Sequence, residues 1–274
     1  MMDLFISEKE VKIDLKSLDE FEEDSFFSTL LRPVKLENKV SDTLFVAVKT
    51  YKEELVKDFP NFEICGKSLL DHILSAGEIC EEIQLEDGDI FDKLKEIDTD
   101  KKIFAVFYCD TPLVDKKTFL KILEYFSEKN LDYLELSRGF IIKKNCLENE
   151  VALRSAFQFE DPNLFVVENA KGLNYACKVI QERIRQKHIN KGVIIFGDQS
   201  VFIDDDVEIE SGVIVYPNNI LKGKTVVEKN VTLKEGNFIK DSLISQGAIL
   251  SHCFVDNSKI NGEHKNEKIE KEEN

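Results

Sequence analysis

The sequence has few of the features that mark secreted, membrane-spanning or metal-binding chains. Its 6 cysteines are dispersed without a Cys-x-x-Cys pair, which argues against a zinc site and for reduced thiols in a cytoplasmic protein. No apolar run reaches the roughly 18 residues that a transmembrane helix needs, and the first residues show no secretion signal. With 12 glycines and 5 prolines in 274 residues, the chain is neither fibrous nor of low complexity. We therefore expect a globular protein without membrane contact.

The chain has fewer positively charged residues than negatively charged ones. The chain has 37 Lys and Arg against 53 Asp and Glu, a formal net charge of −16. Such a surface repels phosphate backbones and anionic lipids, so nucleic acid and membrane surfaces are not expected partners. The acidic residues 1–43 predict an N-terminal arm, whose carboxylates are typical of a helix with one solvent-exposed face. A second hypothesis is that this arm covers a cleft through Phe21, Phe26 and Phe27.

Residues 44–172 alternate apolar runs with amphipathic stretches. The runs TLFVAV at 43–48 and IFAVFY at 103–108 have the length and composition of strands. Shorter strand candidates are GFII at 139–142 and LFVV at 164–167, and helical spacing of apolar residues follows at 66–77 and 118–126. Strands separated by helices favour parallel pairing. This part therefore predicts a Rossmann-like α/β domain, which binds ligands beyond the carboxyl ends of its strands.

The last third of the chain has a period of six. Its aliphatic residues recur at Ile203, Ile209, Val215, Leu221, Val227, Leu233 and Ile239, and continue in steps of five or six to Ile260. Small and polar residues lie between them, which is typical of a parallel β-helix built from hexapeptide repeats. The pattern predicts a β-helix over 193–262, joined to the α/β domain by a linker helix over 173–192. The polar residues 263–274 predict a disordered tail.

Several segments together carry a family resemblance. The hexads after RIRQKHINKGV, at 183–193, and the segments ICGKSLLDHILSA, at 64–76, and FYCDTPLVDKKTF, at 107–119, resemble the bifunctional N-acetylglucosamine-1-phosphate uridylyltransferase and glucosamine-1-phosphate acetyltransferase family. The chain looks like a shortened and divergent member. The resemblance implies a nucleotidyltransferase-like domain, a left-handed β-helix, a homotrimer formed through that β-helix, and a nucleotide-sugar or sugar-phosphate ligand.

The resemblance also implies a magnesium site. Asp110 matches the Asp of the family's Gly-Asp-x-Pro-Leu motif, which holds the metal, and Glu168 and Asn169 match the second ligand position. A carboxylate at the end of a strand suits a hard cation that also holds phosphates. The residues alone leave another interpretation open, since Asp before Thr-Pro commonly starts a turn and a loop Glu is usually solvated.

Substrate-binding residues match the family unevenly. Lys67 lies in the segment that resembles Ala-Gly-Lys-Pro-Met, Gly139 matches a glycine of the sugar site, and Lys49 and Lys52 fall in the phosphate-binding loop. Both glycines of that loop, Gly-x-Gly-Thr-Arg-Met in the family, are replaced here.

The replacements weaken the predicted phosphate site. Val48 and Thr50 stand at the glycine positions and resist the positive φ that a phosphate loop needs. The family's Pro-Lys pair falls on Asp58 and Phe59, and no uracil-reading Gln-x-x-x-x-Gly-Thr segment occurs between 77 and 103. Losing several such contacts together should nearly silence nucleotidyl transfer.

Two functions from different classes follow. The first is a catalytically impaired pyrophosphorylase-like protein, retained for binding or as a scaffold. The alternative is an active magnesium-dependent sugar-1-phosphate nucleotidylyltransferase with an atypical phosphate site. Convergence of Lys49, Lys52 and Lys57 on Asp110 would favour the alternative, whereas outward lysines and a phenylalanine-filled cleft would favour impairment. Acetyl transfer is less favoured, since the later hexads are missing and His252 and His264 are expected at the surface.

Overall fold

The computed structural model describes residues 39–147 and 157–270, so most of the acidic arm, with its three phenylalanines, lies outside the described residues. The α/β part contains strands β1 (Thr43–Lys49), β2 (Glu63–Ile64), β3 (Lys67–Ser68), β4 (Glu81–Glu86), β5 (Ile103–Tyr108), β6 (Tyr133–Glu135), β7 (Phe140–Lys143) and β8 (Phe157–Gln158). Its helices are α1 (Leu69–Gly77), α2 (Ile90–Lys95) and α3 (Lys116–Glu128), and α4 (Ala170–Ile189) leads away from it.

The main sheet has the strand order β4-β1-β5-β7-β6-β8, with β1 parallel to both β4 and β5. β1 is the most enclosed strand, because Phe45 and Ala47 pack on the face covered by α1 and α3 while Leu44 and Val46 face α2. Covering both faces explains the continuous apolar sequence of β1 and β5, since parallel sheets are buried on both sides. The predicted Rossmann-like architecture is confirmed.

The second half of the sheet differs from the parallel prediction. β7 pairs antiparallel with both β5 and β6. The connection between β6 and β7 is only residues 136–139, too short for a crossover helix, so the two strands form a hairpin. Gly139 makes this hairpin possible, since its φ is +103° and a Cβ there would lie 2.2 Å from the carbonyl oxygen of Val106.

The strand predicted over 164–167 is not formed. Pro162–Leu164 form a 3₁₀ turn, and the side chain of Asp161 accepts a hydrogen bond from the amide of Asn163 at its start. The backbone N–H of Val167 donates to the backbone oxygen of Asp110 at 2.7 Å. Asp110 is not part of a strand, so this hydrogen bond does not extend the sheet. α4 begins at Ala170, earlier than predicted, because the Asn169 side chain caps it by accepting from Gly172 N–H at 3.0 Å.

The hexapeptide region forms a left-handed parallel β-helix, as its period predicts. Its strands are β9 (Ile194–Ile195), β10 (Phe202–Ile203), β11 (Glu208–Ile209), β12 (Ile214–Val215), β13 (Ile220–Lys222), β14 (Val226–Val227), β15 (Thr232–Leu233), β16 (Phe238–Lys240), β17 (Leu243–Ile244), β18 (Ile249–Ser251), β19 (Phe254–Asp256), β20 (Lys259–Ile260), β21 (Glu263–Lys265) and β22 (Lys268–Glu270). They assemble into three parallel sheets, with the orders β10-β13-β16-β19-β22, β11-β14-β17-β20 and β21-β18-β15-β12-β9. The aliphatic residues predicted to point inward, from Ile203 to Ile260, are all buried.

The β-helix extends further than the sequence suggests. β21 and β22 occupy residues that the sequence assigns to a disordered tail, and they pair with β18 and β19. Ile269 pairs with Val255 and packs on the core, so a single aliphatic residue with backbone pairing suffices to continue the coil. His264 pairs with Leu250, and its ring lies 2.7 Å from a carboxylate oxygen of Glu267.

α4 joins the two parts. Its buried residues Ala176, Ile180 and Ile184 belong to one apolar cluster with the α/β core and the β-helix interior. The amide of Gln181 donates to the Ile203 carbonyl at 2.9 Å and accepts from the Ile203 N–H at 3.1 Å, which ties the helix to the first coil. No helix in the described ranges is long and apolar enough to cross a membrane.

Candidate functional site

The candidate site lies where β1 and β5 end. Both strands run in the same direction, so the residues that follow them meet at one edge of the sheet. The Cys109 N–H donates to the Val48 carbonyl at 3.0 Å, and the Thr50 N–H points to the Cys109 sulfur at 3.2 Å. These contacts fix the segments 50–52 and 109–111 beside each other. Burial raises the pKa of the Cys109 thiol to about 11, so this sulfur stays protonated at neutral pH.

Asp110 lies at this edge and is only 1% exposed. Two cations hold it: Lys52 Nζ is 3.0 Å from Asp110 Oδ2, and Arg138 Nε is 3.4 Å from the same oxygen. Lys52 also donates to the carbonyl of Val167. The Asp110 carboxylate is therefore neutralised by the protein itself, which is how a buried charge is normally stabilised.

Arg138 is the member of this cluster that the sequence analysis missed. Its guanidinium carbon lies 4.1 Å from the ring centre of Tyr108, and Nη2 lies 3.6 Å from Oδ2 of Asp87. The residue stands in the turn before β7, so the antiparallel hairpin carries its charge to the ends of β4 and β5. In the sequence, the one sign of a role for Arg138 is its position next to Gly139, which matches a glycine of the family's sugar site.

The segment after β1 does not form a phosphate-binding loop. No residue from 48 to 53 has a positive φ, so the backbone amides do not converge as they do in an anion-binding nest. The Thr50 N–H is directed to Cys109, and the Leu55 and Val56 N–H groups donate to the Lys52 carbonyl. With Val48 and Thr50 in place of the two glycines, the segment thus lacks the positive-φ backbone that a phosphate-binding loop needs.

Phe59, which the resemblance aligns with a phosphate-binding lysine, packs in the hydrophobic core. Phe59 is fully buried, and Lys52 Nζ lies 5.7 Å from its ring centre. Lys57 is exposed, and Lys49 points to the edge of the sheet, where its Nζ lies 3.2 Å from Glu86 Oε1. Of the three lysines that could form an atypical phosphate site, Lys52 is the one in contact with Asp110.

Lys67 serves another part of the molecule. Its Nζ lies 2.6 Å from Asp205 Oδ2, at the junction with the β-helix. Lys187 on α4 approaches the other oxygen of Asp205 at 3.6 Å. These two cations lower the pKa of Asp205 against the opposing effect of burial. The structure thus places Lys67 in an ion-pair network between the two parts of the chain.

The residues at the sheet edge do not fit a magnesium ion. A divalent cation at Asp110 Oδ2 would be repelled by Lys52 and Arg138, which already lie on that oxygen. Glu168 is exposed, and the side-chain oxygen of Asn169 is engaged in capping α4. Among residues 39–147 and 157–270, no group of three or more His, Cys, Asp and Glu side chains is arranged to hold a metal.

Sequence comparison places the chain among known proteins. It is 31% identical to the bifunctional protein GlmU of Clostridium acetobutylicum over 163 residues, which cover 58% of this chain and 34% of that protein. The GlmU of Streptococcus gordonii is 26% identical over 246 residues, which cover 82% of this chain and 50% of that protein. The chain thus spans about a third to a half of the length of these relatives.

The chain was also compared with protein-family models and with solved structures. No protein-family model matches the chain. Among solved structures, a CMP:2-keto-3-deoxy-manno-octonic acid synthetase complexed with CTP is similar at 11% identity and a TM-score of 0.40, over 52% of this chain. A likeness of this size carries no weight for function.

Proposed function

We propose that this chain, which is similar to GlmU proteins over part of their length, is a divergent member of their family and a catalytically impaired nucleotidyltransferase-like protein, retained for binding or as a scaffold. The observation that carries this proposal is the enclosure of Asp110 by Lys52 and Arg138. The matching position in the family holds a metal, whereas here its charge is used within the fold.

The surrounding residues support the same conclusion. Nucleotidyl transfer depends on several cationic and amide contacts that act together on the phosphates, and removal of one such donor costs about 100-fold in rate. The loop after β1 offers no convergent amides, and Phe59 has replaced a cation. Several losses combined leave little stabilisation for the transition state.

Calorimetric titration tests this proposal. The ligands are UTP, UDP-N-acetylglucosamine and N-acetylglucosamine-1-phosphate, each with and without magnesium, against the wild type, Asp110→Asn and the control Lys49→Ala. We expect that any heat of binding is the same in the three proteins and independent of magnesium. A magnesium-dependent signal that disappears only in Asp110→Asn would contradict impairment.

The second candidate is an active sugar-1-phosphate nucleotidylyltransferase with an atypical phosphate site. Two observations favour it. Lys52 and Arg138 bring two positive charges to the carboxyl ends of the strands, where α/β sheets bind ligands. Within the described residues, Oδ1 of Asp110 has no hydrogen-bond partner. Under this reading Lys52 and Arg138 would release Asp110 and bind phosphate instead.

We also propose that the protein assembles as a homotrimer through its β-helix, in the cytoplasm. The outer face of one sheet carries a column of apolar side chains in register: Phe202, Ile220, Phe238 and Phe254. Phe202 is 49% exposed, and the rings of Phe238 and Phe254 stack at 5.0 Å. Such a column in water favours association, and flat β-helix faces suit closed symmetric assemblies. All cysteines in the described residues are free, which agrees with a reducing compartment.

A further inference from the structure

Two half-buried cysteines meet where the α/β part contacts α4. The sulfur of Cys65 lies 3.7 Å from the sulfur of Cys177, although 112 positions separate the two residues in the sequence. Cys65 forms the turn between β2 and β3, and Cys177 lies in the second turn of α4. Neither thiol takes part in the cluster around Asp110.

The turn that carries Cys65 also touches the β-helix. The Cys65 carbonyl accepts a hydrogen bond from the Asp205 N–H at 2.9 Å, and the neighbouring Lys67 forms its ion pair with the same residue. Gly66 permits this approach, since a Cβ there would lie 2.6 Å from Cβ of Asp204. A covalent bond from Cys65 to α4 would therefore fasten three elements: the hairpin, the connecting helix and the first coil.

We infer that Cys65 and Cys177 are the site of a reversible disulfide that locks the α/β part to the connecting helix under oxidising conditions. The sulfur atoms need to approach by less than 2 Å from their 3.7 Å separation to reach the disulfide bond length of about 2.05 Å. Closing a loop of more than 100 residues strongly restricts the unfolded chain, so the bond should stabilise the folded protein.

The pair divides into a nucleophile and a resolving thiol. Either sulfur can be the donor in this contact. With Cys65 as the donor, the hydrogen bond lowers the pKa of Cys177 to about 7 and raises the pKa of Cys65. At neutral pH Cys177 therefore carries a substantial thiolate fraction, and the thiolate is the reactive species.

The reaction balances with a low-molecular-weight disulfide as the oxidant. The Cys177 thiolate attacks one sulfur of the oxidant, the S–S bond breaks, and one thiolate leaves. Cys65 then loses its proton and attacks the Cys177 sulfur of this mixed disulfide, which expels the second thiolate. The two protein thiols are oxidised by two electrons, the oxidant is reduced to two thiols, and each departing thiolate takes up a proton at neutral pH.

Oxidised glutathione is the probe for the test. The full-length chain is incubated with it, remaining thiols are blocked, and disulfide-linked peptides are identified by mass spectrometry. We expect a Cys65–Cys177 link that dithiothreitol reverses, together with a rise of about 5 °C or more in the unfolding midpoint. Cys65→Ser and Cys177→Ser should abolish both effects, whereas the control Cys146→Ser should retain them.

Two comparisons keep the inference falsifiable. Linkage should form at least about 10-fold faster in the folded protein than in urea, because the fold holds the sulfurs together. Mixed disulfides at Cys177 should form more slowly near pH 7 in Cys65→Ala than in the wild type, because alanine cannot donate the hydrogen bond that lowers the pKa of Cys177. Absence of the link, its formation only in urea, or preferential pairing of other cysteines would overturn the inference.

Discussion

Lys52 Nζ lies 3.0 Å from Asp110 Oδ2, and this contact joins the segments that follow two adjacent parallel strands. In an α/β fold that edge is the usual place for ligands. Here a lysine and an aspartate from the two segments bind each other, with Arg138 as a third member. The proposed impairment follows from this internal ion pair, which occupies the place where such folds bind ligands.

The ion pair should contribute measurably to stability. Asp110→Asn leaves Lys52 without its anion and leaves Arg138 with Asp87 alone. Breaking a buried pair costs about 3 to 5 kcal/mol, and because both cations are partly exposed we expect a loss of about 2 kcal/mol. Urea denaturation of Asp110→Asn, Lys52→Met and the double variant gives the coupling energy. Lys49→Ala breaks an exposed pair and should change stability by less than about 0.5 kcal/mol. Strictly additive single effects would argue against the pair.

The amide fork of Gln181 should hold α4 on the first coil. Gln181→Leu leaves the N–H and carbonyl of Ile203 without their side-chain partner in a buried place, which should cost about 1 to 3 kcal/mol. The matched control is Gln186→Leu on the exposed side of α4, where a change within about 0.5 kcal/mol is expected. Equal unfolding midpoints for the two variants would show that the fork is dispensable.

His188 should make the protein less stable in mild acid. The ring is 1% exposed, neither nitrogen has a hydrogen-bond partner among the described residues, and burial lowers the pKa to about 4. Lys187 and Lys191 oppose protonation and Asp205 favours it. The unfolded chain binds a proton at this histidine near pH 6.5, whereas the folded chain does not. Above pH 6.5 neither state is protonated, so His188 causes no loss of folding stability there. Below pH 6.5 the free energy of unfolding falls by up to about 1.4 kcal/mol per pH unit as the pH drops towards 4.

The variant His188→Leu isolates that effect. Its unfolding free energy should depend less on pH between 6.5 and 4 than that of the wild type, as measured by urea titrations at several pH values. His264→Gln provides a control of opposite sign, since Glu267 raises the pKa of His264 and the pair stabilises the protein below that pKa. Parallel pH profiles for the wild type and His188→Leu would refute the assignment.

The apolar column of the β-helix should control assembly. Light scattering is expected to give the mass of three chains of 31.5 kDa each. Phe238→Lys places a charge in the middle of the column and should yield monomers, whereas Lys259→Glu on a different sheet should remain trimeric. A monomeric wild type at micromolar concentration, or a trimeric Phe238→Lys, would contradict the proposal.

The β-helix was the part of the fold most open to prediction. Each coil buries one aliphatic residue per side, so residues such as Ile203, Ile209 and Val215 show the six-residue period directly in the sequence. The end of the β-helix was harder to predict, because strands β21 and β22 are held by backbone pairing and by Ile269, with mostly polar side chains. Composition alone could not separate such a coil from a tail.

The candidate site was predicted only in part. The sequence predicts Asp110 as a site residue because it follows a clear strand and matches a motif, and the structure places it at the sheet edge. Its partner Arg138 depends on the antiparallel hairpin of β6 and β7, which the local pattern did not reveal. Lys67 lay in a matching segment, yet its contact is Asp205 in the β-helix, a residue far away in sequence. Pairings between distant segments are set by tertiary packing, which a local motif does not encode.

Pyrophosphate release tests the central claim most directly. The wild type and Asp110→Asn are incubated with UTP, N-acetylglucosamine-1-phosphate and magnesium, with Lys49→Ala as the folded control, and pyrophosphate is followed by a coupled assay. If the protein is catalytically impaired, all three proteins give the same rate as the buffer without protein. Turnover by the wild type and Lys49→Ala that is lost in Asp110→Asn would contradict it and establish the active enzyme.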